Sequence, residues 1–108
     1  MEQKQPIILA ADDHPANLNL LFDLLSEAGF DLLVAQNGES ALTRAEKTQP
    51  DIILLDVLMP GLDGFETCRR LKSNPLTRAI PVGVHLLFYV RQQNGGILDF
   101  VEDHRWGI

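Results

Sequence analysis

Three aspartates follow short aliphatic runs in this sequence. Asp12 and Asp13 come directly after the apolar run at 7–11, and Asp56 comes after the run IILL at 52–55. Carboxylate oxygens are ligands that hard divalent cations prefer, and an ionised carboxylate can also act as a nucleophile that accepts a phosphoryl group. This pattern predicts metal-assisted chemistry at a carboxylate, provided that the chain brings the three side chains together.

Short strands and helices alternate along the part of the sequence that must position these aspartates. The run at 7–11 predicts a buried strand, and apolar residues at i, i+3, i+4 and i+7 then predict an amphipathic helix. That helix stripe consists of Leu18, Leu21, Phe22 and Leu25, and Gly29 marks its end. Further predicted elements are a strand at 31–36, a helix at 39–48, a strand at 52–55, a helix at 65–72 with Phe65, Cys68 and Leu71 on one side, and a strand that opens at Ile80. This alternation is typical of an α/β fold with a doubly wound parallel sheet.

Such a sheet places the carboxyl ends of its strands at one edge, where ligands bind. Asp12, Asp13 and Asp56 are therefore expected to converge there. Three like charges at short range need a cation or a proton, and oxygen ligands with retained water suit Mg²⁺. The competing interpretation is that Asp12 and Asp13 only cap the first helix.

Two neighbouring residues have both a functional and a structural interpretation. His14 adjoins the acidic pair, where it either tunes the pair or is an ordinary exposed loop residue. Asp63 lies in a segment rich in turn formers, which favours a turn residue over a ligand.

Composition and charge exclude several classes of protein. The 108 residues are 45% apolar and 22% charged with a formal net charge of −6, which is typical of one globular domain at 1–108. No apolar run is long enough for a membrane span, and no basic cluster indicates nucleic-acid binding. The polar start MEQKQP contains no signal-peptide core, so a cytoplasmic location is expected. The single cysteine, Cys68, permits no internal disulfide and is predicted to be a small core residue.

The acidic pair, Asp56 and the turn MPGLDG at 59–64 together resemble the receiver domain of two-component response regulators over about residues 6–82. The resemblance implies a flavodoxin-like sheet and Asp56 as the phosphoacceptor. It implies Mg²⁺ held by Asp56, by Asp13 directly, by Asp12 mainly through water, and by the backbone carbonyl of Leu58. It also implies a phosphohistidine donor on a sensor histidine kinase or phosphotransfer domain, which docks largely on the first helix. We therefore expect a phosphoryl acceptor and not an enzyme; an aspartyl-phosphate hydrolase is disfavoured because no cap region or second general acid is evident.

The sequence departs from this family after Val82. Receiver domains place a hydroxyl residue at the end of the fourth strand and a lysine at the end of the fifth. The hydroxyl position falls at about Leu86, no Ser or Thr follows Thr77, and no lysine follows Lys72. Residues 83–108 are also fewer than the roughly 40 needed to complete the usual fold. The resemblance therefore predicts a truncated receiver with impaired switching.

The divergent segment at 83–108 has its own pattern. The turn sequence Asn94-Gly95-Gly96 predicts a β-hairpin of 84–91 with 97–102, and a short final helix is the alternative. Its large apolar residues favour a homodimer formed through 83–108, and the abrupt change of composition raises the hypothesis of a shifted reading frame. The alternative function is a dimeric protein-interaction module that works without phosphorylation.

Overall fold

Strands and helices alternate along the chain in a computed structural model that describes residues 5–85 and 105–107. The strands are β1 (Ile7–Ala11), β2 (Asp31–Ala35), β3 (Ile52–Asp56), β4 (Val82–His85) and β5 (Arg105–Gly107). The helices are α1 (Pro15–Glu27), α2 (Gly38–Thr48) and α3 (Gly64–Ser73). The predicted elements up to Val82 are confirmed, with ends that differ by one or two residues.

The strands form one sheet in the order β2-β1-β3-β4-β5. The first four strands are parallel, so the predicted doubly wound α/β sheet is confirmed. Ala11 of β1 lies opposite Ala35 of β2 and Leu55 of β3, so these strands end at the same level. The order along the chain reverses at β1, and ligands of open α/β sheets bind beside such a reversal.

Helices cover both faces of the sheet. On one face α2 and α3 pack over a core that includes Leu9, Ile53 and Leu55. On the other face α1 packs over Ile8, Ala10 and Leu54. Because successive side chains of a strand point to opposite faces, a strand covered on both sides must be apolar throughout. This burial explains the continuous aliphatic runs that precede the aspartates.

Two aromatic residues are more exposed than the sequence pattern predicts. Phe22 of α1 is 53% exposed and Phe65 of α3 is 49% exposed. The buried line of α1 is narrower than predicted and includes Asn17 instead of Phe22. The buried residues of α3 are Gly64, Thr67 and Leu71. The side of α3 that faces the sheet is therefore the side of these residues, and Phe65 lies away from it. The assignment of both phenylalanines to the core-facing side is therefore wrong.

Side chains other than the acidic pair mark the beginnings of the helices. His14 is the N-cap residue of α1 and makes no side-chain capping bond, so capping does not account for Asp12 and Asp13. Asn37 caps α2 by accepting a hydrogen bond from the Ser40 amide, and Asp63 caps α3 by accepting one from the Glu66 amide. Asp63 is thus a local structural residue, as predicted.

The C-terminal part of the sheet contains one strand that the sequence does not predict. β5 pairs antiparallel with β4, with Trp106 opposite Gly83. Apart from residues 84 and 85 in β4, the predicted hairpin at 84–91 and 97–102 and its helical alternative lie outside the described residues. In the part of the chain that the structure describes, no helix has the length and apolar character needed to cross a membrane.

Candidate functional site

The ends of β1 and β3 bring the predicted acidic residues together. Asp12 follows the last residue of β1 and is fully buried, and Asp56 is the last residue of β3 and is 1% exposed. Carboxylate oxygens of Asp12, Asp13 and Asp56 and a ring nitrogen of His14 all lie within 4.8 Å of one another. The predicted convergence of the three aspartates is confirmed, and His14 lies in the same cluster.

Asp12 is held by hydrogen bonds on both of its carboxylate oxygens. Oδ1 accepts a hydrogen bond of 2.9 Å from the backbone N–H of His14, and His14 Nδ1 lies 2.9 Å from the same oxygen. Oδ2 accepts a hydrogen bond of 2.9 Å from the side-chain amide of Asn17. The backbone N–H of Asp12 donates to the carbonyl of Ala35 at the end of β2. These bonds fix the direction of a carboxylate that has no contact with solvent.

Asp13 presents a buried oxygen to the same cluster. His14 Nδ1 lies 3.0 Å from Asp13 Oδ1, which is within ion-pair range. Nevertheless Oδ1 has no hydrogen-bond partner among the described residues, because the contact with His14 lacks hydrogen-bond geometry. A buried carboxylate oxygen without a hydrogen-bond donor is costly, so its charge must be offset by the nearby His14 imidazole or by a bound cation.

His14 responds electrostatically to all three aspartates. Its hydrogen bond to Asp12 raises the pKa of the imidazole above its usual 6.5; partial burial opposes this increase, and the charges of Asp13, Asp12 and Asp56 add to it. The imidazole therefore takes up a proton more readily here than an isolated imidazole does. Sequence reasoning left this role of His14 open.

Asp56 is positioned by the turn between β3 and α3. The backbone N–H of Leu58 lies 3.4 Å from Asp56 Oδ1, and the backbone N–H of Gly64 donates to the carbonyl of Val57. A Cβ atom on Gly64 would overlap the backbone carbonyl oxygen of Asp56 and would lie 2.9 Å from a methyl group of Val84. A glycine at position 64 thus allows α3 to begin directly against the end of β3. The Leu58 carbonyl remains a predicted ligand.

This set of donors fits a hard divalent cation. Three carboxylates converge at one point, two of them belong to residues that are almost completely buried, and one buried oxygen lacks a donor. A small doubly charged cation offsets their repulsion and binds carboxylate oxygens preferentially. The residues present are therefore compatible with a Mg²⁺ site.

Asn17 is a member of the site that sequence reasoning missed. It is 2% exposed, and its side-chain Oδ1 has no hydrogen-bond partner in the described part of the chain. The signal in the sequence is a polar residue four positions before Leu21, on the apolar face of α1. Cys68 is partly buried against the core cluster under α2 and α3, as predicted, and takes no part in the acidic cluster.

Comparisons with known proteins decide the family. The model of the response regulator receiver domain matches residues 8–92. The chain belongs to this family. The matched region extends past Val82, where the visible resemblance in the sequence ends, and contains every residue of the acidic cluster.

Receiver segments of several signalling proteins are similar to this chain. Response regulator PleD of Caulobacter vibrioides is 51% identical over 75 residues, which are 69% of this chain and 16% of the relative. Protein PilH of Pseudomonas aeruginosa is 40% identical over 75 residues, or 62% of that protein. Sensor histidine kinase RcsC of Salmonella typhimurium is 41% identical over 78 residues, which are 72% of this chain and 8% of the kinase. The receiver therefore matches a minor part of several longer proteins.

Solved receiver structures agree with the fold. The N-terminal domain of a response regulator receiver protein from Methanoculleus marisnigri has a TM-score of 0.69 and 39% identity, over 70% of this chain and 62% of that chain. The receiver domain of a sensor histidine kinase from Pseudomonas aeruginosa has a TM-score of 0.69 and 28% identity, over 72% of this chain and 64% of that one. That second structure holds a magnesium ion in its active site cleft.

Proposed function

We propose that this receiver accepts a phosphoryl group on Asp56 in a Mg²⁺-dependent reaction, in the cytoplasm. The donor in this proposal is a phosphohistidine of a sensor histidine kinase or a phosphotransfer domain. The observation that carries the proposal is the buried Asp56 at the end of β3, with carboxylate oxygens of Asp12 and Asp13 within 4.8 Å. Membership of the receiver family supports it.

The chemistry requires one nucleophile and a means of offsetting negative charge. A carboxylate oxygen of Asp56 attacks phosphorus, the phosphorus–nitrogen bond of the donor breaks, and the donor imidazole leaves with the electron pair. Bound Mg²⁺ would neutralise charge on the phosphoryl oxygens, and Asp12, Asp13, Asp56 and the Leu58 carbonyl are the residues that would hold it. Asp12 is kept in place by Asn17 and by the His14 amide. The chain is an acceptor in this scheme and not an enzyme.

Phosphorylation is expected to switch this receiver poorly. The position of the hydroxyl residue falls at about Leu86, no Ser or Thr follows Thr77, and no lysine follows Lys72 in the sequence. Each missing partner removes a charge-assisted hydrogen bond to the phosphoryl group worth about 1.5–3 kcal/mol or less. These are also the groups that report phosphorylation in the family that the chain resembles. We therefore expect a phosphoprotein with a weakened conformational response.

The second candidate is a dimeric interaction module that works without phosphorylation. The sequence favours it because the reporter residues are missing and residues 86–100 include several large apolar side chains. In this proposal two copies associate through residues 83–108. Light scattering after size exclusion at micromolar concentration should then give twice the mass of the 12.0 kDa chain. A single 12.0 kDa species would contradict the dimer.

Treatment with a small phosphodonor separates the two functions. Incubation with acetyl phosphate and Mg²⁺ should add the mass of one phosphoryl group to the wild type and none to Asp56→Asn. Asp23→Asn, a change of the same kind at an exposed position of α1, serves as the matched control and should be phosphorylated. An unmodified wild type, together with unchanged spectra in beryllofluoride and Mg²⁺, would favour the interaction module.

A further inference from the structure

The strand β2 lies at one end of the sheet and, among the described strands, pairs with β1 alone. The backbone N–H of Asp31 donates to the carbonyl of Pro6, so residues 31, 33 and 35 of β2 bond toward β1. Because successive residues of a strand direct their N–H and C=O groups to opposite sides, Leu32 and Val34 direct theirs away from β1. Within the part of the chain that the structure describes, this edge therefore offers two N–H and two C=O groups to an added strand.

Two apolar grooves lie beside this edge, on the α1 side of the sheet. Their volumes are about 410 Å³ and 430 Å³, and Phe22 of α1 and Leu32 of β2 line both. Phe30 also lines the first groove, and Val34 lines the second. Phe22 is half exposed and Val34 is 38% exposed, so apolar surface lies open to solvent there. Side chains at positions i and i+2 of an added strand would share this face, one for each groove.

The surface around the two grooves is acidic. Residues 5–43 contain no lysine and no arginine. The carboxylates on α1 and β2 belong to Asp23, Glu27 and Asp31, which are all exposed, and Asp31 lines the first groove. A second copy that paired through the same edge would bring these carboxylates toward their counterparts, because a two-fold contact uses one surface twice. Charge complementarity therefore favours a basic partner over a second copy.

We propose that the free edge of β2 binds an extended basic segment of a partner protein, which adds one strand to the sheet. The backbone of the segment pairs with Leu32 and Val34, and its alternate apolar side chains occupy the two grooves. Its cationic side chains pair with the carboxylates around the grooves. Of the described residues that line the grooves, none belongs to the acidic cluster at the ends of β1 and β3. Binding is therefore expected without phosphorylation.

Fluorescence anisotropy with a labelled peptide that alternates valine and lysine tests the surface in the 108-residue chain. The wild type should bind this peptide saturably, and a peptide with glutamate in place of lysine should bind at least about tenfold more weakly. Phe22→Ala should weaken binding of the basic peptide about tenfold. Leu76→Ala removes an exposed apolar side chain outside the grooves and should leave the affinity unchanged. Equal affinity for the two peptides, or equal affinity of Phe22→Ala and wild type, would overturn the proposal.

A proline at position 34 tests strand addition separately from the grooves. Proline is tolerated in an edge strand where the N–H faces away from the neighbouring strand, so Val34→Pro removes an outward donor and keeps the pairing with β1. It should weaken peptide binding at least about tenfold. Val34→Thr keeps the N–H and a side chain of similar shape, so it should bind within about threefold of the wild type. Equal binding by Val34→Pro and Val34→Thr would contradict strand addition.

Hydrogen exchange of the wild type provides a test that needs no variant. The amides of Leu32 and Val34 should exchange more slowly when the basic peptide is bound. Unchanged exchange at both amides under saturating peptide would refute strand addition even if Val34→Pro fails to fold. Light scattering of the free chain tests the other occupant, since a dimer that Val34→Pro dissociates would assign the edge to a second copy and overturn the proposal.

Discussion

Asn17 connects the packing of α1 to the geometry of the acidic site. Its side chain lies on the buried face of α1 and donates a hydrogen bond to Asp12 Oδ2, five residues earlier in the chain. Asp12 is fully buried, so water cannot replace this donor. A residue on the buried face of α1 thus determines how the Asp12 carboxylate is oriented.

Asn17→Leu should destabilise the fold and weaken metal binding. The change leaves a buried carboxylate oxygen without its donor, which costs about 1–3 kcal/mol of unfolding free energy. Urea denaturation measures this loss, and a Mg²⁺ titration measures the second effect. Asn19→Leu, the same change at an exposed position of α1, is the matched control and should be nearly neutral. Equal stability of the two variants would show that Asn17 does not support Asp12.

Glu66 provides a pH-dependent signal that is separate from the acidic site. Hydrogen bonds from Arg69 and Arg70 lower the pKa of Glu66 from 4.5 to about 2. Because the folded-state pKa is lowered, its contribution to stability is present above pH 4.5 and is lost as the pH falls toward 2. An NMR titration of the wild type should place the pKa of the Glu66 carboxyl at about 2. In the double variant Arg69→Gln/Arg70→Gln the pKa of Glu66 should rise toward 4.5. An unchanged inflection in the double variant would contradict this cause.

Individual side chains show where sequence reasoning succeeds and where it does not. The aspartates could be placed because each follows an aliphatic run, and parallel strands end at one edge. The sequence pattern misplaces Phe22 and does not reveal Asn17, because a helical stripe at i, i+3 and i+4 does not show which side of the stripe meets the sheet. The ring position of His14 depends on a rotamer that spacing along the chain does not specify.

At the scale of elements, the site depends on how closely α3 approaches the end of β3. Gly64 begins α3, and its backbone lies against the carbonyl of Asp56 and the side chain of Val84. Asp63 caps the helix from the preceding position. The turn residues thus position the helix, and the start of the helix in turn confines the strand end that carries Asp56, the proposed phosphoacceptor.

Gly64→Ala should therefore separate α3 from the strand end. The added Cβ would overlap the backbone carbonyl oxygen of Asp56, which cannot move aside as a flexible side chain can. Overpacking of this kind costs about 1–3 kcal/mol of unfolding free energy. We expect a lower melting temperature and weaker Mg²⁺ binding, measured by calorimetry. Phe65→Ala, at the half-exposed next residue, should change both quantities much less. Full metal affinity in Gly64→Ala would show that this close approach does not position Asp56.

The elements up to β4 could be predicted because local and global signals agree there. Buried strands are aliphatic, helices are amphipathic, and glycine or proline residues separate them. After Val82 these signals conflict, since the same residues fit a hairpin and a helical face. The antiparallel β5 at Arg105–Gly107 was not predicted, because no pattern in three residues specifies its partner strand.

At the scale of the whole molecule, the sheet holds the negative charges of Asp12, Asp13 and Asp56 close together. These carboxylates repel one another, and the net charge of −6 adds to the repulsion. The two apolar clusters hold β1 and β3 side by side, and that pairing forces their terminal carboxylates into one small volume. Folding therefore concentrates negative charge at one edge. A cation bound at that edge, as proposed, would stabilise the folded chain, since it would bind the folded state and not the unfolded one.

A Mg²⁺ titration followed by amide NMR shifts tests this account most directly. We predict saturable shifts concentrated at residues 12–14 and 56–58, strongly weakened in Asp56→Asn and retained in the exposed control Asp23→Asn. Small, unsaturated shifts spread over the acidic surface, or identical titrations of Asp56→Asn and wild type, would contradict it.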